Sequence, residues 1–148
     1  MVLIAACALA ATKGREAWQA RAIDRAHSEA LAAGRQLAVN FTTVDHAKVD
    51  EGIARVKAGA TGEFLASYDK TSADLKKVIV ENKSLSKVER AEAALQSGDE
   101  DSAVVLVGVV APTTNTVVPQ GEKKTYRMKL GLRKTGSTWK VERLEFVG

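Results

Sequence analysis

A layer of three helices packed on a four-stranded antiparallel sheet, an α+β fold, is predicted by one change of hydrophobic period near Ser86. Before that point apolar residues recur every three or four positions; after it they alternate with polar ones. Clusters of glycine, proline and short polar residues separate the alternating runs, as hairpins require.

The helices come first. From Lys13 to Phe41 the chain is rich in Ala, Arg, Glu and Gln, lacks proline, and is weakened only at Gly14 and Gly34. Ile23, His27, Ala30, Leu31, Gly34, Ala38 and Phe41 share one helical stripe, with Arg21, Arg25, Glu29 and Gln36 opposite. The pattern predicts a long helix that serves as a stalk in its first half and docks with its second. Thr42-Thr43-Val44-Asp45 interrupts it, and Thr43 or Asp45 is the expected N-cap of the next element. Val49, Ile53, Val56 and Ala60 predict a short second helix, closed by Gly59 and Thr61-Gly62. Phe64, Leu65, Tyr68, Leu75, Val78 and Ile79 predict a third that ends near Asn82.

The strands follow. Ala91, Ala93 and Leu95 alternate with Arg90, Glu92 and Gln96, and Ser97 to Asp101 reads as a turn. Ala103 to Val110 is apolar on both faces, the pattern of a central strand covered on one side by helices. Pro112, Thr113, Thr114, Asn115, Pro119 and Gly121 predict a long hairpin loop. Tyr126, Met128, Leu130 and Leu132 alternate with Arg127, Lys129 and Arg133 in the third strand. After a turn at Lys134 to Ser137, Trp139, Val141, Leu144 and Phe146 form the fourth. The shift there from odd to even positions predicts a bulge near Glu142.

A chain of 148 residues is one domain's worth, and 45% hydrophobic with 27% charged residues is ordinary globular usage. The net charge of +4 is uneven: Glu122 to Gly148 holds eight Lys/Arg against three Glu. Arg127, Lys129 and Arg133 therefore form a basic row on one strand, a candidate surface for an acidic partner. Nucleic acid is not expected, because Tyr126 and Trp139, aromatics of that half, both fall on the apolar side.

Met1 to Thr12 carries no charge and has no positive n-region. As a helix rising about 1.5 Å per residue it is too short to cross a bilayer, and is expected to be a partial membrane span. Trp18, two turns on, is a candidate interfacial anchor. Ile4-Ala5-Ala6-Cys7 also fits a short lipobox, which would make Cys7 a site of acylation. Cys7 is the lone cysteine, so no intramolecular disulfide forms.

Little of the sequence points to catalysis. His27 lies on the apolar stripe and is expected to be packed and satisfied. His46, expected in the first turn of the second helix, neighbours Asp45, but adjacent helical residues diverge by about 100° and do not converge on one atom. Asp99-Glu100-Asp101 lacks the ligand spacing of a calcium loop. No phosphate loop, metal-ligand spacing or nucleophile elbow is present, and neither catalytic residues nor cofactors are expected.

The apolar leader, the Ala/Arg-rich stalk, Leu37 through Asp45, Ala60-Thr61-Gly62-Glu63-Phe64, the Asp101 to Val110 strand and Trp139-Lys140-Val141 together resemble the Mce-associated membrane proteins of actinobacteria. The resemblance implies a single-pass inner-membrane protein whose envelope-facing domain is a cone of the nuclear transport factor 2-like type. It implies residues 1–12 as a partial transmembrane segment, 13–44 as stalk and first helix, and 45–148 as the cone domain. It further implies a non-catalytic accessory subunit of an Mce-type sterol or fatty-acid import complex, with other Mce subunits and membrane lipid as partners. Two other functions compete. A cone of this type can enclose a small apolar ligand or an active site, for which Tyr68, Tyr126 and Asp45 are the inward-pointing candidates. The layout also suits an inner-membrane assembly component of type IV secretion. A cone filled by Phe64, Tyr68, Met128 and Trp139 is expected, with no converging polar groups.

Overall fold

The computed structural model describes the backbone of residues 2–148 and the side chains of residues 15–148. Three helices, α1 (Val2–Thr42), α2 (Val49–Ala58) and α3 (Gly62–Glu81), precede all but one of six strands. The strands are β1 (Val44–Asp45), β2 (Leu85–Ser86), β3 (Arg90–Gly98), β4 (Ser102–Thr114), β5 (Glu122–Thr135) and β6 (Thr138–Phe146). All sheet pairing between them is antiparallel, in the order β1-β2-β4-β5-β6 with β3 also on β4. The four long strands are those the alternation predicts. The two short ones carry too few residues to show a period of two.

β2 and β3 behave as one bent strand along the same edge of β4. Between them the Lys87 N–H donates to the Pro112 carbonyl at 3.3 Å and the Glu89 N–H to the Val110 carbonyl at 2.9 Å. Pro112, Thr113 and Thr114 therefore belong to β4 and not to the hairpin loop. The misreading has a physical source: proline lacks only its N–H, and its carbonyl still pairs. The remaining loop, Asn115 to Gly121, is held by the Asn115 side chain, which accepts from the Val117 and Val118 N–H groups at 2.8 and 2.9 Å. The β5–β6 hairpin turns through Gly136 at φ 63°, a conformation glycine tolerates.

The inner face of the sheet and the second half of α1 make the core. Val105, Val107 and Val109 of β4 stand opposite Leu130, Met128 and Tyr126 of β5. Ala26, Ala30, Leu37 and Ala38 of α1 are buried against them. The helix lies close because its contact positions are small: a Cβ on Gly34 would sit 3.3 Å from Val105 Cγ1. The predicted bulge is present, with Gly131 opposite Arg143 and Leu132 opposite Val141, so Glu142 is the extra residue. Gly62 packs against that bulge at φ 55°, where a Cβ would lie 3.3 Å from the Glu142 Cβ.

Several expectations are corrected. Neither Thr43 nor Asp45 caps α2; the N-cap position is Lys48, which makes no side-chain cap bond. Residues Val44 and Asp45 are drawn into β1 by pairing with Ser86 and Leu85. His46 consequently lies before α2, its N–H donating to the Ser84 carbonyl at 3.0 Å. Val78 is 51% and Phe146 59% exposed, although both continue an apolar period. His27 packs as expected, but its Nε2 and the Trp139 Nε1 are buried without a hydrogen-bond partner. Each such orphan costs about 1–3 kcal/mol of desolvation.

Leu37→Ala is expected to destabilise the chain by about 2–5 kcal/mol, since Leu37 is among the largest fully buried side chains. Val78→Ala, on the same helical layer but exposed, should stay within about 0.5 kcal/mol. Urea unfolding followed by circular dichroism measures both.

Candidate functional site

The interior of the cone is filled. α1 ends with Phe41, α3 begins with Phe64 and Tyr68, and β5 and β6 bring Tyr126 and Phe146 to the same end of the sheet. Phe41 is the hub, with ring centroids 6.1 Å from Phe64, 6.1 Å from Tyr68 and 6.2 Å from Phe146. Phe64 and Tyr68 lie 5.9 Å apart, and Tyr126 lies 6.4 Å from Phe146. All five pairs are tilted, an arrangement favoured by ring quadrupoles. Of the expected filling residues, Phe64 and Tyr68 join this cluster, whereas Met128 and Trp139 are buried in the core beneath α1. Sequence periodicity placed Phe41 on the packed stripe but could not show that it meets β6.

Two of the three residues considered for inward-facing chemistry do come together. Asp45 and Tyr68 both line a cavity of about 140 Å³ between the end of α1, α2 and α3. Burial raises the Tyr68 pKa above its ordinary value. The Asp45 carboxylate spends Oδ1 on the Ala47 N–H at 2.9 Å, an Asx turn that precedes α2. Tyr126 lies elsewhere, beside Phe146. No hydrogen bond joins the Asp45 and Tyr68 side chains, and the walls of the cavity are mainly apolar. Among the described residues no cluster of three His, Cys, Asp or Glu could hold a metal ion. Asp99 is engaged by its own turn: Oδ1 accepts from the Asp101 and Ser102 N–H groups, both at 2.8 Å, which holds its pKa down.

The outer face of the sheet carries no helix among the described residues. Val104, Leu106, Gly108 and Val110 run down its centre on β4, with Leu106 39% exposed and nothing within 4 Å of a Cβ on Gly108. Arg127, Lys129 and Arg133 of β5 run beside them, opposite Gly108, Leu106 and Ser102. The three cations are not equivalent. Arg133 donates through Nε to Glu142 Oε2 at 2.9 Å, and Arg143 Nη2 approaches Glu142 Oε1 at 3.7 Å. Lys129 faces Glu145 in register. Neither Lys129 nor Arg127 makes an ion pair among the described residues, so both are free charges of the row, whereas Arg133 is paired. The bulge produces this asymmetry, because it turns Glu142 toward two arginines.

The first half of α1 extends beyond the core. Among its described side chains, residues 15–20 are exposed, Trp18 at 76%. Cys7 and the apolar leader at residues 1–12 lie outside the described side chains. No described helix is long and apolar enough to cross a membrane.

The Arg133 hydrogen bond is the leading cause that holds the Glu142 pKa below its ordinary 4.5. A depressed carboxylate stabilises the fold above its unfolded pKa, and that contribution is lost as pH falls through the folded value. The difference in urea midpoint between the wild type and Glu142→Gln should therefore be full at pH 7. It should shrink as pH drops below about 4.5.

Several known proteins share this architecture. An IcmL-like type IV secretion system protein from Legionella pneumophila superposes with a TM-score of 0.64 at 14% identity, covering 79% of this chain and 88% of that one. An Ntf2-like protein involved in plasmid conjugation gives 0.56 at 11% identity, covering 83% and 49%. The periplasmic domain of DotI gives 0.55 at 9% identity, covering 79% and 91%. These likenesses show the expected NTF2-like cone. The uncharacterized protein Rv1363c of Mycobacterium tuberculosis (strain ATCC 25618 / H37Rv) is 33% identical over 144 residues. The match takes in 95% of this chain and 55% of that protein, so the chain spans about half the length of this relative. The family described as "Uncharacterized protein Rv1363c/MT1408-like" matches residues 1–148, and the chain belongs to it.

Proposed function

We propose that the chain is a non-catalytic, envelope-exposed interaction module that helps assemble a membrane protein complex through the open face of its sheet. One observation carries this reading: the inner face is sealed by α1 and the aromatic cluster, while the outer face is uncovered and bordered by cations. A filled cone leaves no room for a substrate between helices and sheet. An uncovered apolar strand beside a basic one suits a partner with acidic residues around an apolar ridge. The projecting half of α1, with Trp18 exposed, would hold the domain near a bilayer.

The fold neighbours support assembly of the type IV secretion kind over lipid import. Two are named as secretion or conjugation proteins, and a third is named as a periplasmic domain, which also supports an envelope location. A place beside an Mce-type importer rests on short sequence motifs alone.

Arg127→Glu combined with Lys129→Gln removes the two unpaired charges of the row while sparing the Arg133–Glu142 pair. The double variant should lose at least tenfold in capture of the wild type's membrane partners, with stability held within about 0.5 kcal/mol. A control at Lys76→Gln, on the helical side, should capture normally. Quantitative affinity purification from cross-linked membranes reads this out. Equal capture by the double variant would remove the outer face from the reading, and substrate turnover by the purified chain would end it.

A further inference from the structure

A cavity of about 140 Å³ lies within the helical layer, apart from the face assigned to partners. It is not the space between helices and sheet: its walls come from the end of α1, β1, α2 and α3, among them Phe41, Val49, Ile53, Tyr68, Leu75 and Ile79. Its size matches an apolar cavity of about 150 Å³ that stays dry and admits benzene or xenon. Val49, Tyr68 and Ile79 are each 8% exposed, whereas Leu75, at 36%, reaches the surface and marks an entrance.

A second observation concerns Gly52, which lines the same cavity from the middle of α2. Glycine weakens a helix interior relative to alanine, so such a position usually has a steric reason. None is present here. A Cβ on Gly52 would meet only Arg55 Nη2, at 3.8 Å, and the residue is not at positive φ. Gly52 thus presents bare backbone to the cavity. Across that space α2 is held to α3 by two exposed ion pairs, Lys76–Asp50 and Lys57–Asp69, each at 2.7 Å.

We infer that the cavity between α1, α2 and α3 is a binding site for one small apolar molecule, a monocyclic arene the size of benzene or toluene. Its occupant fills contacts that Phe41, Ile53 and Ile79 now lack on their cavity side, and so braces α2 against the rest of the layer. Sterols and long acyl chains are excluded by volume. Asp45 contributes a wall but its Oδ1 is committed to the Ala47 N–H, so recognition rests on shape and apolar contact.

The test uses the whole 148-residue chain with benzene and toluene as probes. Either should raise the melting temperature by about 4 °C at tenfold excess over Kd. Ring protons should show nuclear Overhauser contacts to the Ile53 and Ile79 methyls. Ile53→Phe and Gly52→Leu fill the space. Each, once shown to melt cooperatively, should lose the shift at least tenfold in probe concentration. The site is overturned if neither probe shifts the melt up to its solubility limit, or if the Overhauser contacts fall elsewhere. A shift that survives in a folded filler variant overturns it too. The Overhauser measurement needs no variant, and so decides the matter even where both fillers fail to fold.

Discussion

The close approach of α1 to the sheet is the constraint on which the other features depend. It is made by a stripe of very small residues, Ala26, Ala30, Gly34 and Ala38, set against Val105 and Leu130. Helix and sheet can then pack near their distance of closest approach, which maximises dispersion contact for a chain with only 5% aromatic residues. The same approach removes the space a cone could otherwise enclose. The bulky rings are displaced to the end of α1, where Phe41 gathers Phe64, Tyr68 and Phe146 into a plug. A void of about 140 Å³ survives where α1 has ended and α2 begins.

Docking α1 across the sheet also settles what its edges can do. Arg35 donates through Nε to the Ala91 carbonyl at 2.9 Å, occupying an acceptor on the side of β3 away from β4. At the opposite edge, the Thr61 N–H donates to the Val141 carbonyl at 2.8 Å and the Val141 N–H to the Gly59 carbonyl at 2.9 Å. Both long edges thus have backbone groups covered, which discourages strand addition by other chains. The open face of the sheet is left as the broad surface through which the domain can meet a partner. Its charge is tempered at the Glu142 bulge, which pairs Arg133, while Lys129 and Arg127 make no ion pair among the described residues.

A fold of this kind does not name a function, because one fold can host many unrelated tasks. Here the interior holds valines, leucines and alanines, together with two polar nitrogens, on His27 and Trp139, that have no partner.

The α+β architecture, the three helices, the four long strands and the bulge were legible in the sequence. Each is a local event with its own period or turn chemistry, and the shift in alternation between Val141 and Leu144 marks the bulge directly. Periodicity could not show that Phe41, Phe64, Tyr68 and Phe146 meet, since they come from three elements far apart in the chain. Nor could it show that Glu142 takes Arg133 out of the basic row, or that Val44 and Asp45 abandon a helix cap to pair with Leu85 and Ser86. Local sequence determined which residues would be helix or strand and which face would be apolar, because backbone geometry repeats over a few residues. Tertiary structure alone decided which apolar faces met, which charges were neutralised and where space was left. Those outcomes depend on distances between elements, which no local pattern encodes.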